Sequence, residues 1–368
     1  MNANPLLKLS SFGQSIWLDY IRRRMIDAGE LKKLIDDDGL KGVTSNPAIF
    51  EKAIAGSPDY DAAIRSLAQA GKSVAEIYQT LTVEDVQRAA DLFRPLYDRV
   101  KGKDGFISLE VNPHLAHDTQ GTNAEARRLW QALARPNVLI KVPATKEGLP
   151  AIRQLIGEGL NVNVTLLFGL PRYREVAEAY IGGLEARLAQ GRPLDGVASV
   201  ASFFLSRIDV LLDPKLEALA AKDLIGQVAI ASAKVAYTIY QEIFGSERFK
   251  ALAHQGARPQ RLLWASTSTK NPAYPDVKYV EPLIGPNTVN TLPVETLEAY
   301  RDHGNPAARL TEDLDRAAAC LQRLPEVGID LNQATQQLED EGVEKFNQPF
   351  DSLMGTLEGK RREAMSHA

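Results

Sequence analysis

Eight short runs rich in β-branched and aromatic residues recur along the chain, and stretches of helical period fill most of the gaps between them. The runs are 16–21, 42–47, 106–111, 138–145, 162–168, 197–204, 261–267 and 279–284. Strands separated by helices predict a parallel sheet with crossover connections, and eight such units close a (β/α)8 barrel. The last run is the weakest, because Pro282 cannot donate to a sheet ladder. A barrel of this kind takes roughly 250 residues, whereas the chain has 368. The fold class expected is therefore α/β, one (β/α)8 barrel spanning the chain. Extra helices are expected in an insertion at about 50–103 and in a C-terminal extension at about 296–368.

Local signals fill in this frame. Ser73-Val74-Ala75-Glu76 has the form of a capping box, in which side chains satisfy the free backbone donors of a helix start. Thr82 reads as the cap of a helix over 83–100, and Thr122-Asn123-Ala124-Glu125 as a second capping box. Apolar and small residues at 225, 228, 229, 232, 235, 236, 239, 240 and 243 form a stripe at helical spacing, the mark of a helix packed on a core. Residues 1–14 read as a loose leader.

Composition narrows the class of function. With 44% apolar and 24% charged residues the chain is globular. A net charge of −4 with mixed signs argues against a nucleic-acid partner, which would call for a basic stripe. No apolar stretch is long enough to span a bilayer, and no signal peptide is evident. Cys320 is the only cysteine, so no internal disulfide can form. That fits a reducing compartment, and a cytoplasmic location is expected.

One strand carries a charge in its middle. In Val138-Leu139-Ile140-Lys141-Val142-Pro143 the lysine is surrounded by apolar side chains. Burying an ammonium without a partner costs several kcal/mol, so such a group tends to lose its proton. A neutral amine on a rigid strand is what a Schiff-base enzyme uses to attack a carbonyl. The alternative is a lysine that reaches water or pairs with a carboxylate.

Further polar residues stand in or just after most of the other strands: Asp19, Asn46, Glu110, Thr165, Ser202, Arg207 and Lys270. Barrel strands are covered on both faces and otherwise read as apolar, and reactive groups gather at their C-terminal ends. Around Lys141 the set makes chemical sense. Glu110 and Thr165, on the flanking strands, can hold and polarise a water while an imine forms. Asp19 is the natural base for removing a hydroxyl proton as a carbon–carbon bond breaks. Asn46 can bind substrate hydroxyls, and Arg207 and Lys270 can hold a phosphate. Plainer readings exist for each: Glu110 as a structural partner of Lys141, Asn46 as turn chemistry before Pro47, Thr165 and Ser202 as core polar groups, Arg207 as an ion pair with Asp209, and Phe204 as packing. His114 and His117 have a spacing that could share a metal, but they follow Asn112-Pro113 and read as a surface loop.

Together, Thr44-Ser45-Asn46-Pro47, Ser108-Leu109-Glu110-Val111, Ile140-Lys141-Val142-Pro143-Ala144-Thr145, Asn163-Val164-Thr165-Leu166-Leu167-Phe168 and Ser202-Phe203-Phe204-Leu205-Ser206-Arg207-Ile208-Asp209 resemble the transaldolase family in this order, over nearly the whole chain. The resemblance implies a barrel that moves a dihydroxyacetone unit between sugar phosphates without metal or organic cofactor. It implies that Lys141 forms the Schiff base, Asp19 is the acid/base, Glu110 and Thr165 position water, Asn46 and Ser202 contact substrate with Phe204 beside them, and Arg207 binds phosphate. The second phosphate ligand is often arginine in the family, where this chain offers Lys270. Proline often follows the strand-six serine, where this chain has Phe203. The tail, with Glu341-Gly342-Val343-Glu344-Lys345-Phe346, resembles the longer bacterial branch. The implied partners are sugar phosphates, with no nucleic acid or membrane, and the assembly is a monomer or homodimer. A fructose-6-phosphate aldolase, a metal-dependent barrel hydrolase built on His114 and His117, and a silent sugar-phosphate sensor are the rival readings.

Overall fold

A computed structural model describes residues 4–366. Eight parallel strands pair in chain order and the last closes on the first. They are β1 (Gln14–Asp19), β2 (Gly42–Thr44), β3 (Phe106–Glu110), β4 (Val138–Pro143), β5 (Val162–Leu167), β6 (Ser199–Phe204), β7 (Arg261–Ala265) and β8 (Thr288–Leu292). Because strand side chains alternate between faces, the register places Asp19, Thr44, Glu110, Lys141, Asn163, Thr165, Ser202 and Thr291 on the inner face. Near the other end the interior is filled by Trp17. Gly42 faces it so closely that a Cβ there would lie 2.6 Å from the indole.

The helices, in chain order, are α1 (Pro5–Leu9), α2 (Arg23–Asp27), α3 (Glu30–Asp38), α4 (Pro47–Phe50), α5 (Asp61–Gln69), α6 (Val74–Arg99), α7 (Thr119–Leu133), α8 (Gly148–Glu158) and α9 (Leu170–Ala189). After β6 come α10 (Ser206–Ala218), α11 (Val228–Phe244) and α12 (Glu247–His254). Three more follow β8: α13 (Val294–His303), α14 (Leu314–Arg323) and α15 (Leu331–Ser366). The helices between β2 and β3 begin with α4, continue through a π-helical turn, Glu51–Ala55, and end with α6. The longest helix, α15, packs on α4, α5, α6, α10 and the end of β5. It therefore lies across the C-terminal mouth of the barrel.

The structure corrects several expectations. The eighth strand is Thr288–Leu292, not 279–284; the latter segment is a turn that ends in a 3-10 turn, Glu281–Leu283. Pro282 cannot join a ladder. The true strand is disguised by the outward Thr288 and Asn290, whose polarity is satisfied locally: Thr288 donates to the Gly285 carbonyl at 2.7 Å, and Asn290 to the Tyr279 carbonyl at 3.3 Å. Thr82 caps nothing, since α6 runs unbroken from its Ser73–Glu76 capping box and the Thr82 hydroxyl bonds back to Tyr78 O. Thr122 also lies inside its helix; α7 starts earlier, capped by Asp118, which accepts from the Gly121 N–H at 2.9 Å.

Within the expected loose leader, residues 5–9 are helical and bury Leu6 and Leu9; residues 1–3 lie outside the described part. Two charge runs, Asp36-Asp37-Asp38 and Lys360-Arg361-Arg362, are partly structural. Asp38 is buried against Arg301, and Lys360 and Arg361 tie α15 to Asp61 and the Lys72 carbonyl. The single cysteine, Cys320, lies on α14, half-buried.

Candidate active site

At the C-terminal mouth a cavity of about 410 Å³ is lined by Asp19, Asn46, Lys141, Thr165, Ser202, Phe204, Arg207 and Lys270. Eight of the nine expected site residues thus face one space. The ninth, Glu110, sits beside Lys141 just off the cavity wall, paired with it across β3 and β4.

Lys141 is buried. Its Nζ donates to the Ser45 carbonyl at 2.9 Å and lies 3.3 Å from Glu110 Oε2. That ion-pair contact lacks hydrogen-bond geometry, so both Glu110 oxygens are buried without a hydrogen-bond partner, as is Thr165 Oγ1 on the other flanking strand. Unsatisfied buried polar atoms are costly and rare, and here they converge on either side of one amine. Burial pushes the Glu110 carboxyl up to about 7 against the opposing pull of Lys141. β5 is irregular where it presents Thr165. The register slips between Val164 and Leu167, and Leu166 adopts a left-handed φ of 56°. A non-glycine residue in this region is strained, and such strain clusters at functional sites.

Asp19 closes the opposite side. Burial raises its carboxyl above the usual range, while Lys141 and a hydrogen bond from Thr44 pull it down. Thr44 Oγ1 lies 2.6 Å from Asp19 Oδ1 and 2.7 Å from Thr291 Oγ1. Across the floor, Ser202 donates to Asn163 Oδ1 at 2.7 Å, and Asn163 donates to Ser108 at 3.0 Å. Asn46 uses Oδ1 to cap α4, accepting from the Ile49 N–H at 3.0 Å. Turn chemistry and cavity lining are therefore both true of it.

Arg207 leaves the first turn of α10 toward the cavity, its Cζ 5.5 Å from the Phe204 ring centroid. Its Nη1 is buried with no partner, and no ion pair joins it to Asp209, which bonds elsewhere. A guanidinium held this way is ready for an anion. Lys270 is exposed at the rim, its Nζ 2.5 Å from Ser268 Oγ.

Sequence reasoning missed Thr44, Asn163, Thr291 and Phe346. Thr44 and Asn163 stand two residues before Asn46 and Thr165, on the same face, but nothing else in the sequence marks them, and Thr291 lies on a strand that the sequence places elsewhere. Phe346 comes from α15, in the tail stretch that resembles the longer bacterial branch, and nothing in that stretch assigns it to the barrel mouth. It is buried, it lines the cavity, and its ring centroid is 5.7 Å from Lys141 Nζ. Gly342, one turn earlier, lets α15 approach: a Cβ there would lie 3.1 Å from Leu166 and 3.7 Å from Arg207 Nη1.

His114 and His117 are exposed and bond Asp351 and Glu147 respectively. No group of three metal-ligating side chains exists among the described residues.

Comparison with known proteins fits this geometry. The profile of the transaldolase/fructose-6-phosphate aldolase family matches residues 16–357. A transaldolase of Trichodesmium erythraeum is 51% identical, covering 98% of both chains. Transaldolase 2 of a Nostoc species is 50% identical over 98% of both. A transaldolase of Saccharopolyspora erythraea is 49% identical over 97% of this chain and 98% of its own. With a barrel closed around a buried lysine and relatives matched almost end to end, this chain belongs to the transaldolase/fructose-6-phosphate aldolase family.

Proposed function

We propose that the protein is a transaldolase that carries a dihydroxyacetone unit from sedoheptulose 7-phosphate to glyceraldehyde 3-phosphate, giving erythrose 4-phosphate and fructose 6-phosphate. The supporting observation is the Lys141 amine inside the cavity with hydrogen-bond-free Glu110 and Thr165 on either side.

Lys141 Nζ attacks the ketose C2, and Glu110 and Thr165 hold the water that the carbinolamine releases. Glu110, with a carboxyl near 7, can take up and return a proton at neutral pH. Asp19 then removes the C4 hydroxyl proton. The C3–C4 bond breaks, the aldose leaves, and the electron pair is held as an enamine on Lys141. A raised Asp19 carboxyl suits a group that must both take this proton and give it back to the new aldose. Asn46 and Ser202 hold the hydroxyls of the bound three-carbon unit. Arg207 and Lys270 hold the terminal phosphate, with the guanidinium as the principal ligand.

Borohydride reduction in the presence of fructose 6-phosphate should leave one adduct on Lys141. An adduct on another lysine, or none, overturns the site. Turnover should require an aldose acceptor; release of free dihydroxyacetone at the same rate without one would make the enzyme an aldolase.

A further inference from the structure

The two cations assigned to the substrate phosphate come from different elements, and something must hold them in register. Arg207 is on α10. Lys270 is in the stretch 266–280 between β7 and the 3-10 turn, which has no helix or strand of its own. Like charges repel, and an irregular segment loses conformational entropy when it is fixed.

Two carboxylates one turn apart on α10 meet this segment. Tyr279 donates to Asp209 Oδ2 at 2.8 Å, and Tyr274 donates to Asp213 Oδ2 at 2.6 Å. The second oxygen of each is also used: Asp209 Oδ1 accepts from the Ala229 N–H at 2.9 Å, and Asp213 Oδ1 from the Gly226 N–H at 2.7 Å. Lys278 closes the set, donating to the Gly226 carbonyl at 2.5 Å with its Nζ 4.0 Å from the Tyr274 ring centroid. Gly226 has a φ of 69°, and a Cβ there would fall 2.6 Å from the Tyr274 hydroxyl and 2.8 Å from Lys278 Nζ. Only glycine lets the turn come this close. Asp209 is 1% exposed. Burial holds both phenols above their usual range, which keeps them as donors.

We propose that Asp209–Tyr279 and Asp213–Tyr274 form a positioning clamp that fixes Lys270 relative to Arg207 and so sets recognition of the substrate's phosphate. The clamp touches no reacting atom, and it rests on the reading of Arg207 and Lys270 as phosphate ligands. A purely structural role, capping α11 and stapling the turn at 226, would affect every substrate alike. A positioning role affects phosphorylated substrates alone.

The test is the double variant Tyr274→Phe/Tyr279→Phe, which removes two hydroxyls and keeps both rings. Fructose 6-phosphate and unphosphorylated fructose serve as donors with one acceptor, and Arg207→Gln reports on the underlying reading. The clamp predicts a KM for fructose 6-phosphate raised roughly 5- to 10-fold. Its kcat should stay within about twofold, and kcat/KM for fructose should not change. Inorganic phosphate, as a competitive inhibitor, should weaken in parallel. Equal losses with both donors, or an unchanged KM while Arg207→Gln raises it, overturn the clamp alone. If Arg207→Gln also leaves KM unchanged, the phosphate reading fails and the clamp falls with it.

Discussion

The two ends of the barrel treat buried polar groups in opposite ways. At the N-terminal end, Asp104 is buried but fully engaged. It accepts from Ser15 and from Trp17 Nε1 at 2.8 Å, and Arg261 lies 3.5 Å away. Gln14, Asn137 and Gln260 each leave only a neutral amide oxygen unpaired, their NH2 groups being bonded. At the C-terminal end the unpaired atoms include a carboxylate and a guanidinium nitrogen, on Glu110 and Arg207. Leaving charge unsatisfied in a buried place is the costlier choice. One end of the same cylinder is built for stability, and the other keeps its valences open for a ligand.

Four experiments would break or sharpen this contrast. Lys141→Met should abolish turnover and borohydride trapping in a chain that still folds but melts lower than the parent, because Glu110 stays buried without its paired cation. Loss of the fold would refute the contrast. Glu110→Gln should lower kcat by about 10²–10⁴-fold. In the parent, kcat/KM should rise with pH through about 7 as the carboxyl ionises, and the variant should lose that inflection. Because this carboxyl titrates higher when folded than when unfolded, its contribution to stability is present in full at low pH and is lost as pH rises from about 4.5 to about 7. Chemical denaturation across that window, parent against variant, measures it.

At the other end, Asp104→Ala should cost roughly 3–5 kcal/mol of stability by leaving the buried Trp17 N–H without an acceptor and taking the carboxylate from beside Arg261, with kinetic constants unchanged in the folded protein. The smallest effect is a matched pair. Thr288→Val breaks bonds to Gln14 and Gly285 and should cost about 1–2 kcal/mol with normal kinetics. Thr165→Val removes a hydroxyl with no partner and should leave the melting temperature level or higher while lowering kcat. Equal behaviour of the two valine variants would erase the distinction between the ends.

What could be read from the residues follows the same division. A charge inside a β-branched run is conspicuous, so Lys141, Glu110 and Asp19 could be found without coordinates. Asn163 and Thr44 could not be separated from ordinary strand polarity, because their roles are set by register across strands far apart in the chain. The eighth strand was misplaced since Thr288 and Asn290 obscure its apolar pattern, and their hydrogen bonds to 279–285 exist only once the barrel closes. Helix starts at Thr82 and Thr122 were misread because a good capping residue inside a helix simply bonds back to its own turn, as Thr82 does. The Asp209–Tyr279 contact was hidden by 70 residues of separation, and near neighbours suggested an ion pair with Arg207 instead.

Phe346 and Gly342 belong to a helix that follows the eighth strand, so the cylinder can close before that helix has been synthesised. A nascent chain at that stage would hold its reactive amine in a vessel with one wall missing.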